Sequence, residues 1–346
     1  MMFKYIFLVF LIVLFSCKSK QLSIKSTIIL NENISQKNIK IPPHRKSTTM
    51  KKPENLKKGD TIMILATARK HLSSLEPTFN LLKNWGLEVK LGKTIGQEYH
   101  QLSGKDEIRI KDFQEAINDP NIKAIWCVRG GYGTVKIIDE LDFSALLENP
   151  KWIIGYSDVT VLHSHLNNLG LETLHATMPI NIDKNSEDSK ETLRKAVFGE
   201  QLSYQIPTDS LGIKGKGKGQ LIGGNLSIIY SLMGSNSSIE TKGKILFLED
   251  LDEYLYHIDR MMMNLKRCGY LKNLNGIIVG GMTSMKDNEI PWGKDAYQII
   301  LEHSKDLKIP VIFNFPAGHI PDNRALIMGR NVALDVNEET TTVVFE

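Results

Sequence analysis

The sequence predicts an α/β protein in which parallel strands alternate with helices, built as two domains that meet at a cleft. Three observations carry this reading. Short apolar runs (61–67, 122–128, 152–156, 244–248, 276–280 and 311–315) have the length of strands covered on both faces. Segments with helical spacing follow most of them. Glycine-bearing corners at 129–133, 223–225 and 316–318 stand where strands turn into loops or helices, the positions at which parallel sheets bind ligands.

In order, 61–67 (TIMILAT) reads as a buried strand, 73–85 as a helix begun by Ser73 and stopped by Gly86, 87–91 as a second strand and 107–118 as a second helix. The run 122–128 enters RGGYG at 129–133, and a helix is expected from there to about 140. A strand over 152–156 and a helix over 158–168 complete a Rossmann- or flavodoxin-like parallel sheet with flanking helices. Residues 201–219, polar and rich in Gly and Lys, read as an interdomain linker. The second, mixed α/β domain restarts with the Gly223-Gly224-Asn225 turn and a helix to about 232. It continues with strand 244–248, helix 254–268, strand 276–280, helix 296–307, strand 311–315 and three short strands (325–328, 332–336, 341–345).

The 346 residues are two domains' worth. An apolar content of 42% with 24% charged residues excludes a disordered chain, and a multi-span membrane protein would show several apolar runs of about 20 residues. Three cysteines, none in a CxxC spacing, provide neither a disulfide scaffold nor a metal site. No cofactor is implied. Residues 18–58 hold eleven Lys/Arg against Glu32 and Glu54, a net +9; taking that and Lys4 from the chain's +4 leaves −6 for 59–346. An acidic body argues against nucleic acid as partner, whereas a basic tail suits an anionic membrane surface.

The N-terminus gives that membrane a reason. Lys4 precedes an apolar run of about ten residues, too short to span a bilayer and the right length for a signal peptide. Leu14-Phe15-Ser16-Cys17 follows at once and resembles the lipobox of bacterial lipoproteins. The expected organisation is therefore a lipoprotein signal peptide (1–17) acylated at Cys17, a flexible basic linker (18–58), an N-terminal domain (59–200), the interdomain linker (201–219) and a C-terminal domain (220–346). The chain would face the periplasm from the bacterial cell envelope; a start at Met50 would instead give a cytoplasmic form.

For chemistry, Gly155-Tyr156-Ser157-Asp158 sits where a strand becomes a helix. That corner lifts a hydroxyl clear of the sheet beside free helix N–H groups, although a Ser-Asp helix cap would look the same. A serine needs a base, usually a histidine held by a carboxylate. His319 follows a strand through Pro316-Ala317-Gly318, and Glu249 and Asp250 directly follow strand 244–248. His257 is the main rival base; His163 and His165 lie within a helix, where packing or solvent is their simpler role. The order Ser157, Glu249, His319 is that of a Ser…acid…His hydrolase, and Arg129 to Gly133 can form a backbone nest for an anion. No HExxH or Cys/His cluster occurs, so no metal is expected.

Taken together, VRGGYG (128–133), GYSD (155–158), GGNL (223–226), LEDLDE (248–253) with Arg260, and PAGH (316–319) resemble the LD-carboxypeptidase, or muramoyltetrapeptide carboxypeptidase, family. The resemblance runs from about 53 to 346. It implies a serine peptidase, without cofactor, that removes the terminal D-alanine of a peptidoglycan-derived tetrapeptide by cutting an L,D amide bond. Ser157 would be nucleophile, His319 base and Glu249 its orienting acid, with the serine in the N-terminal domain and the other two in the C-terminal one. Asp158 and Gly131 would supply the oxyanion hole. Arg129, Gly130, Asn225 and Arg260 would bind substrate, and a homodimer is implied. The sequence departs from the family at LATARK (65–70), where a short APS-type turn is usual, and in its export signal. Two other readings stand beside this one: a related amide hydrolase acting on a peptide–nucleotide toxin, and a non-catalytic, lipid-anchored solute-binding protein.

Overall fold

A computed structural model describes residues 50–346. The signal peptide (1–17) with Cys17, and the linker up to 49, lie outside the described residues. The first half consists of β1 (Thr61–Leu65), α1 (Glu76–Trp85), β2 (Glu88–Leu91), α2 (Asp106–Asn118), β3 (Ile122–Cys127), α3 (Ser144–Glu148), β4 (Trp152–Gly155), α4 (Thr160–Asn168), β5 (Thr173–His175) and α5 (Glu187–Phe198). The second half consists of β6 (Ser203–Pro207), β7 (Gly215–Asn225), α6 (Leu226–Leu232), β8 (Ile245–Leu251), α7 (Leu255–Arg267), β9 (Gly276–Thr283), α8 (Ala296–Ser304), β10 (Val311–Ile312), β11 (Leu326–Met328), β12 (Asn331–Val336) and β13 (Thr340–Phe345).

One sheet runs β11-β5-β4-β3-β1-β2 and the other β10-β9-β8-β7-β12-β13-β6. Strands β1 to β5 pair in parallel, with β1, β3, β4 and β5 largely buried and β2 an exposed edge, and β7 to β10 also pair in parallel in the second sheet. Strands β12, β13 and β6 extend that sheet in antiparallel fashion. The two sheets share one apolar core, in which Trp126, Trp152, Ile154 and Leu174 meet Leu221, Phe247, Ile278 and Phe315. Each such side chain stabilises the fold by about 1.5–3 kcal/mol relative to exposure. This shared core brings the carboxyl ends of β4 and β8 together.

The structure corrects several boundaries. Segment 201–219 is not a linker: it holds β6 and the start of β7. Its alternating Gly and Lys residues are a strand period. Lys216 and Lys218 reach Asp335 and Glu346 at 2.8 and 2.7 Å, while a Cβ on Gly217 would strike the Asn275 carbonyl oxygen at 2.1 Å. The end of the expected flexible linker is also ordered. Lys51 N–H donates to Gly170 O and Leu56 N–H to Val197 O, each at 2.8 Å, and Leu56 is buried. Strand β11 leaves the C-terminal segment to pair antiparallel with β5 of the first sheet. The helix expected after Gly133 is two short 3-10 turns, Thr134–Lys136 and Ile138–Glu140. Cys127 is buried and Cys268 exposed, and among the described residues both are free.

Candidate active site

Strand β4 ends at Gly155, and Ser157–Val159 form a 3-10 turn that runs directly into α4. Ser157 adopts φ 63°, a left-handed conformation that costs a residue with a Cβ on the order of 1–2 kcal/mol. The Ser157 side chain packs against Gly130, where an added Cβ would lie 2.7 Å from Ser157 Cβ and 2.8 Å from its Oγ, and 3.2 Å from Asp158 N. Only a glycine allows the nest and the serine corner to approach this closely. Asp158 is itself buried, and its Oδ2 accepts from Thr134 N–H at 2.8 Å. The residue after the serine thereby ties down the end of the 129–133 turn. Neither the Asp158 nor the Gly131 backbone N–H is hydrogen bonded among the described residues.

Glu249 lies within β8 rather than after it, and it is fully buried. His319 follows β10 on the Pro316-Ala317-Gly318 loop. Its ring Nδ1 stands 2.6 Å from Glu249 Oε2, and its own backbone N–H donates to the same oxygen at 3.2 Å. Gly318, at φ 105°, makes this possible: a Cβ there would lie 2.8 Å from both Glu249 Cβ and Oε2. The loop is further held by Asn323 Oδ1, which accepts from Gly318 N–H at 2.8 Å, and by Thr283 Oγ1, which donates to His319 O at 2.9 Å. Burial would raise the Glu249 pKa, but the adjacent His319 outweighs it and the carboxyl stays below its ordinary range. Burial works against the His319 cation too, and Glu249 outweighs that to hold its pKa above the ordinary histidine value.

Tyr156 joins the two halves of the site. Its ring packs edge-on against His319 with centroids 4.8 Å apart, so the serine corner and the histidine–glutamate pair are neighbours. Among the described residues no hydrogen bond links the Ser157 hydroxyl to the imidazole. His257 has a partner of its own, Glu253 at 2.6 Å, but its ring neighbours are Tyr230 and Tyr256 on the α6–α7 side. His163 is buried, with Nδ1 on Thr173 Oγ1 and Nε2 on Gly155 O, and His165 bonds Ser237.

The expected substrate-binding residues divide. Arg129 lies beside the site, half-buried, with Nη1 donating to Lys70 O at 3.0 Å and its Nε buried without a partner among the described residues. Burial, and then the neighbouring Arg69, hold its pKa below the usual value. Asn225 is instead engaged inside the fold, where its amide also helps to hold the Glu249 pKa down. Its Nδ2 donates to Asp250 Oδ1 at 2.9 Å, and its Oδ1 accepts from Ser227 Oγ and caps α6 through Ile228 N–H. Asp250, which Ser227 and Leu251 N–H groups also bond, is buried beside Glu249, and these surroundings push its pKa up to about 7. Arg260 is exposed on α7, over the Tyr256 ring at 5.0 Å, and forms no ion pair with the site among the described residues. The 65–70 segment, unlike the family's turn in sequence, lies against the nest: a Cβ on Gly131 would meet Arg69 Cβ at 2.7 Å.

Two residues near the site escape a reading of sequence pattern alone. Arg69 could have been found from its place after β1. His175 ends a three-residue strand too short to register as a period, and lies fully buried between Tyr156 and Phe247, at centroid distances of 5.8 and 4.9 Å.

Comparison with known proteins shows the family to which the two halves belong. Residues 62–176 match the LD-carboxypeptidase N-terminal domain, and residues 218–334 the LD-carboxypeptidase C-terminal domain. A probable murein peptide carboxypeptidase of Bacillus subtilis (strain 168) is 33% identical over 299 residues, covering 84% of this chain and 94% of that one. The crystal structure of muramoyltetrapeptide carboxypeptidase from Oxalobacter formigenes superposes with a TM-score of 0.75 at 25% identity, covering 82% of this chain and 98% of that one. The microcin C7 self-immunity protein MccF of Escherichia coli is 25% identical over 323 residues, covering 82% of this chain and 93% of that one. With both domains matched in order around the serine corner and the histidine–glutamate pair, the chain belongs to the LD-carboxypeptidase family of carboxypeptidases.

Proposed function

We propose that this protein is a serine LD-carboxypeptidase that cuts the L,D amide bond holding the terminal D-alanine of murein tetrapeptides. The observation that carries the reading is the fully buried Glu249 bonded at 2.6 Å to a partly buried His319, which packs through Tyr156 against a serine held at a positive φ. In this reading Glu249 fixes the His319 ring with Nδ1 protonated, leaving Nε2 as the base. Nε2 takes the Ser157 proton as Oγ attacks the amide carbon. The oxyanion so formed accepts from the Asp158 and Gly131 N–H groups, each worth on the order of 3 kcal/mol in the transition state. Collapse breaks the C–N bond, and His319 returns the proton to the departing D-alanine amine. Water, deprotonated by His319, then releases the tripeptide from Ser157.

A carboxypeptidase must also recognise a free carboxylate next to the bond it cuts. Arg129 and Arg69, like charges side by side with no acidic partner among the described residues, supply the complementary field. Asn225 acts in this reading by fixing Asp250 and α6 rather than by touching substrate.

We further propose that Cys17 is acylated and tethers the enzyme to the cell envelope, where it meets wall fragments, and that it works as a homodimer. Globomycin-sensitive processing of the full chain tests the anchor. The relation to the microcin C7 self-immunity protein favours a second reading, hydrolysis of an amide in a peptide–nucleotide conjugate. Incubating the protein with purified tetrapeptide and with such a conjugate, followed by mass spectrometry, decides between them: tripeptide and free D-alanine support the peptidase, conjugate cleavage alone rejects it.

A further inference from the structure

Glu249 uses only one of its oxygens. Oε2 receives both the ring and backbone N–H groups of His319, whereas Oε1 is buried with no well-formed hydrogen bond among the described residues; the Asn225 amide, which also favours the Glu249 charge, gives its formed bond to Asp250. An ionised carboxylate oxygen left without a donor in the interior is strongly disfavoured. Near enough to feel the Glu249 charge stands His175, fully buried, whose ring nitrogens have no hydrogen-bond partner outside the residue itself among the described residues. Phe247, against which the His175 ring packs edge-on, precedes Glu249 by two positions on β8, so their side chains share a face. Tyr156 packs on His175 from one side and on His319 from the other. The other ring nearby, His163 at 6.2 Å, has both nitrogens occupied by Thr173 and Gly155 and can serve neither group.

We propose that in the working enzyme one ring N–H of His175 donates to Glu249 Oε1, making His175 a fourth, positioning member of the site that holds the acid from behind while His319 holds it in front. The inference rests on the reading of Glu249 and His319 as acid and base. His175 suits the task because it is a neutral donor. Burial lowers its pKa to about 4 despite the opposing pull of Glu249, so at neutral pH it carries one N–H and no charge. It orients the carboxylate without cancelling the negative charge that His319 needs.

Two measurements on the full chain test this. In nitrogen-15 NMR of the labelled histidines, His175 is expected to be singly protonated at neutral pH, with an exchange-protected ring N–H that moves upfield in Glu249→Gln, where the carboxylate charge is gone. A resonance unchanged between the two proteins, or a doubly protonated ring, overturns the proposal. This arm needs no turnover, so it decides the matter even if tetrapeptide proves not to be the substrate. In kinetics on tetrapeptide, His175→Phe keeps the aromatic volume but no donor. It should lose roughly 10- to 100-fold in kcat with KM held within about twofold, whereas His175→Gln, which keeps a donor, should recover most of the loss. Equal losses in both variants, or a fall confined to KM, would also overturn it.

Discussion

His319 meets Glu249 through two donors on one oxygen: the ring Nδ1 at 2.6 Å and the backbone N–H at 3.2 Å. The acid therefore fixes the loop as well as the ring. Because its carboxylate is buried and ionised, it raises the His319 pKa above about 6.5, the ordinary histidine value. A general base must be neutral, so activity should rise with pH through a limb above that value. In Glu249→Gln the limb should move to lower pH and kcat should fall by about 10³- to 10⁴-fold. The pH profile of kcat/KM checks both; a limb that stays in place contradicts the pairing.

Gly130→Ala should abolish most activity. The new Cβ would stand 2.7 Å from Ser157 Cβ, displacing a residue already held at a costly φ. We expect kcat to drop at least about 100-fold, with thermal unfolding monitored alongside to separate this from global loss of structure.

Asp158 has a separate duty from its backbone N–H. Its buried carboxylate holds Thr134 N–H at 2.8 Å, so Asp158→Ala leaves that N–H unsatisfied and frees the 129–133 turn. Chemical denaturation should report a loss of about 1–3 kcal/mol, accompanied by a lower kcat. Full stability would contradict the tie.

Much of this site is legible in the sequence, because its groups lie at strand ends marked by glycine: Ser157 after Gly155, the nest of Arg129 to Gly133, and His319 after Gly318. The parts that are not legible fail for physical reasons. The 201–219 stretch looks like a linker because lysine and glycine have low strand preference, yet its period of two is set by lysines facing acidic partners and by glycines against neighbouring backbone. Asn225 looks like a ligand for substrate until its amide is seen engaged by Asp250 and α6. Strand β5 is three residues long, so His175 carries no pattern, and its importance arises only from what packs around it.

Arg129→Met should discriminate between substrates rather than slow chemistry uniformly. Removing the guanidinium should raise KM about tenfold or more for a peptide ending in free D-alanine and leave one ending in the amide unchanged. Steady-state kinetics on the matched pair checks this, and equal effects on both peptides would remove Arg129 from carboxylate recognition.

The unity of the three residues is tested most directly by kcat for Ser157→Ala, His319→Ala and the double variant, measured as D-alanine released from tetrapeptide. Groups that act as one unit are not additive. Each single variant should lose on the order of 10⁴-fold or more, and the double variant should be no slower than either. Losses that multiply, or a single variant with undiminished turnover, would contradict the account.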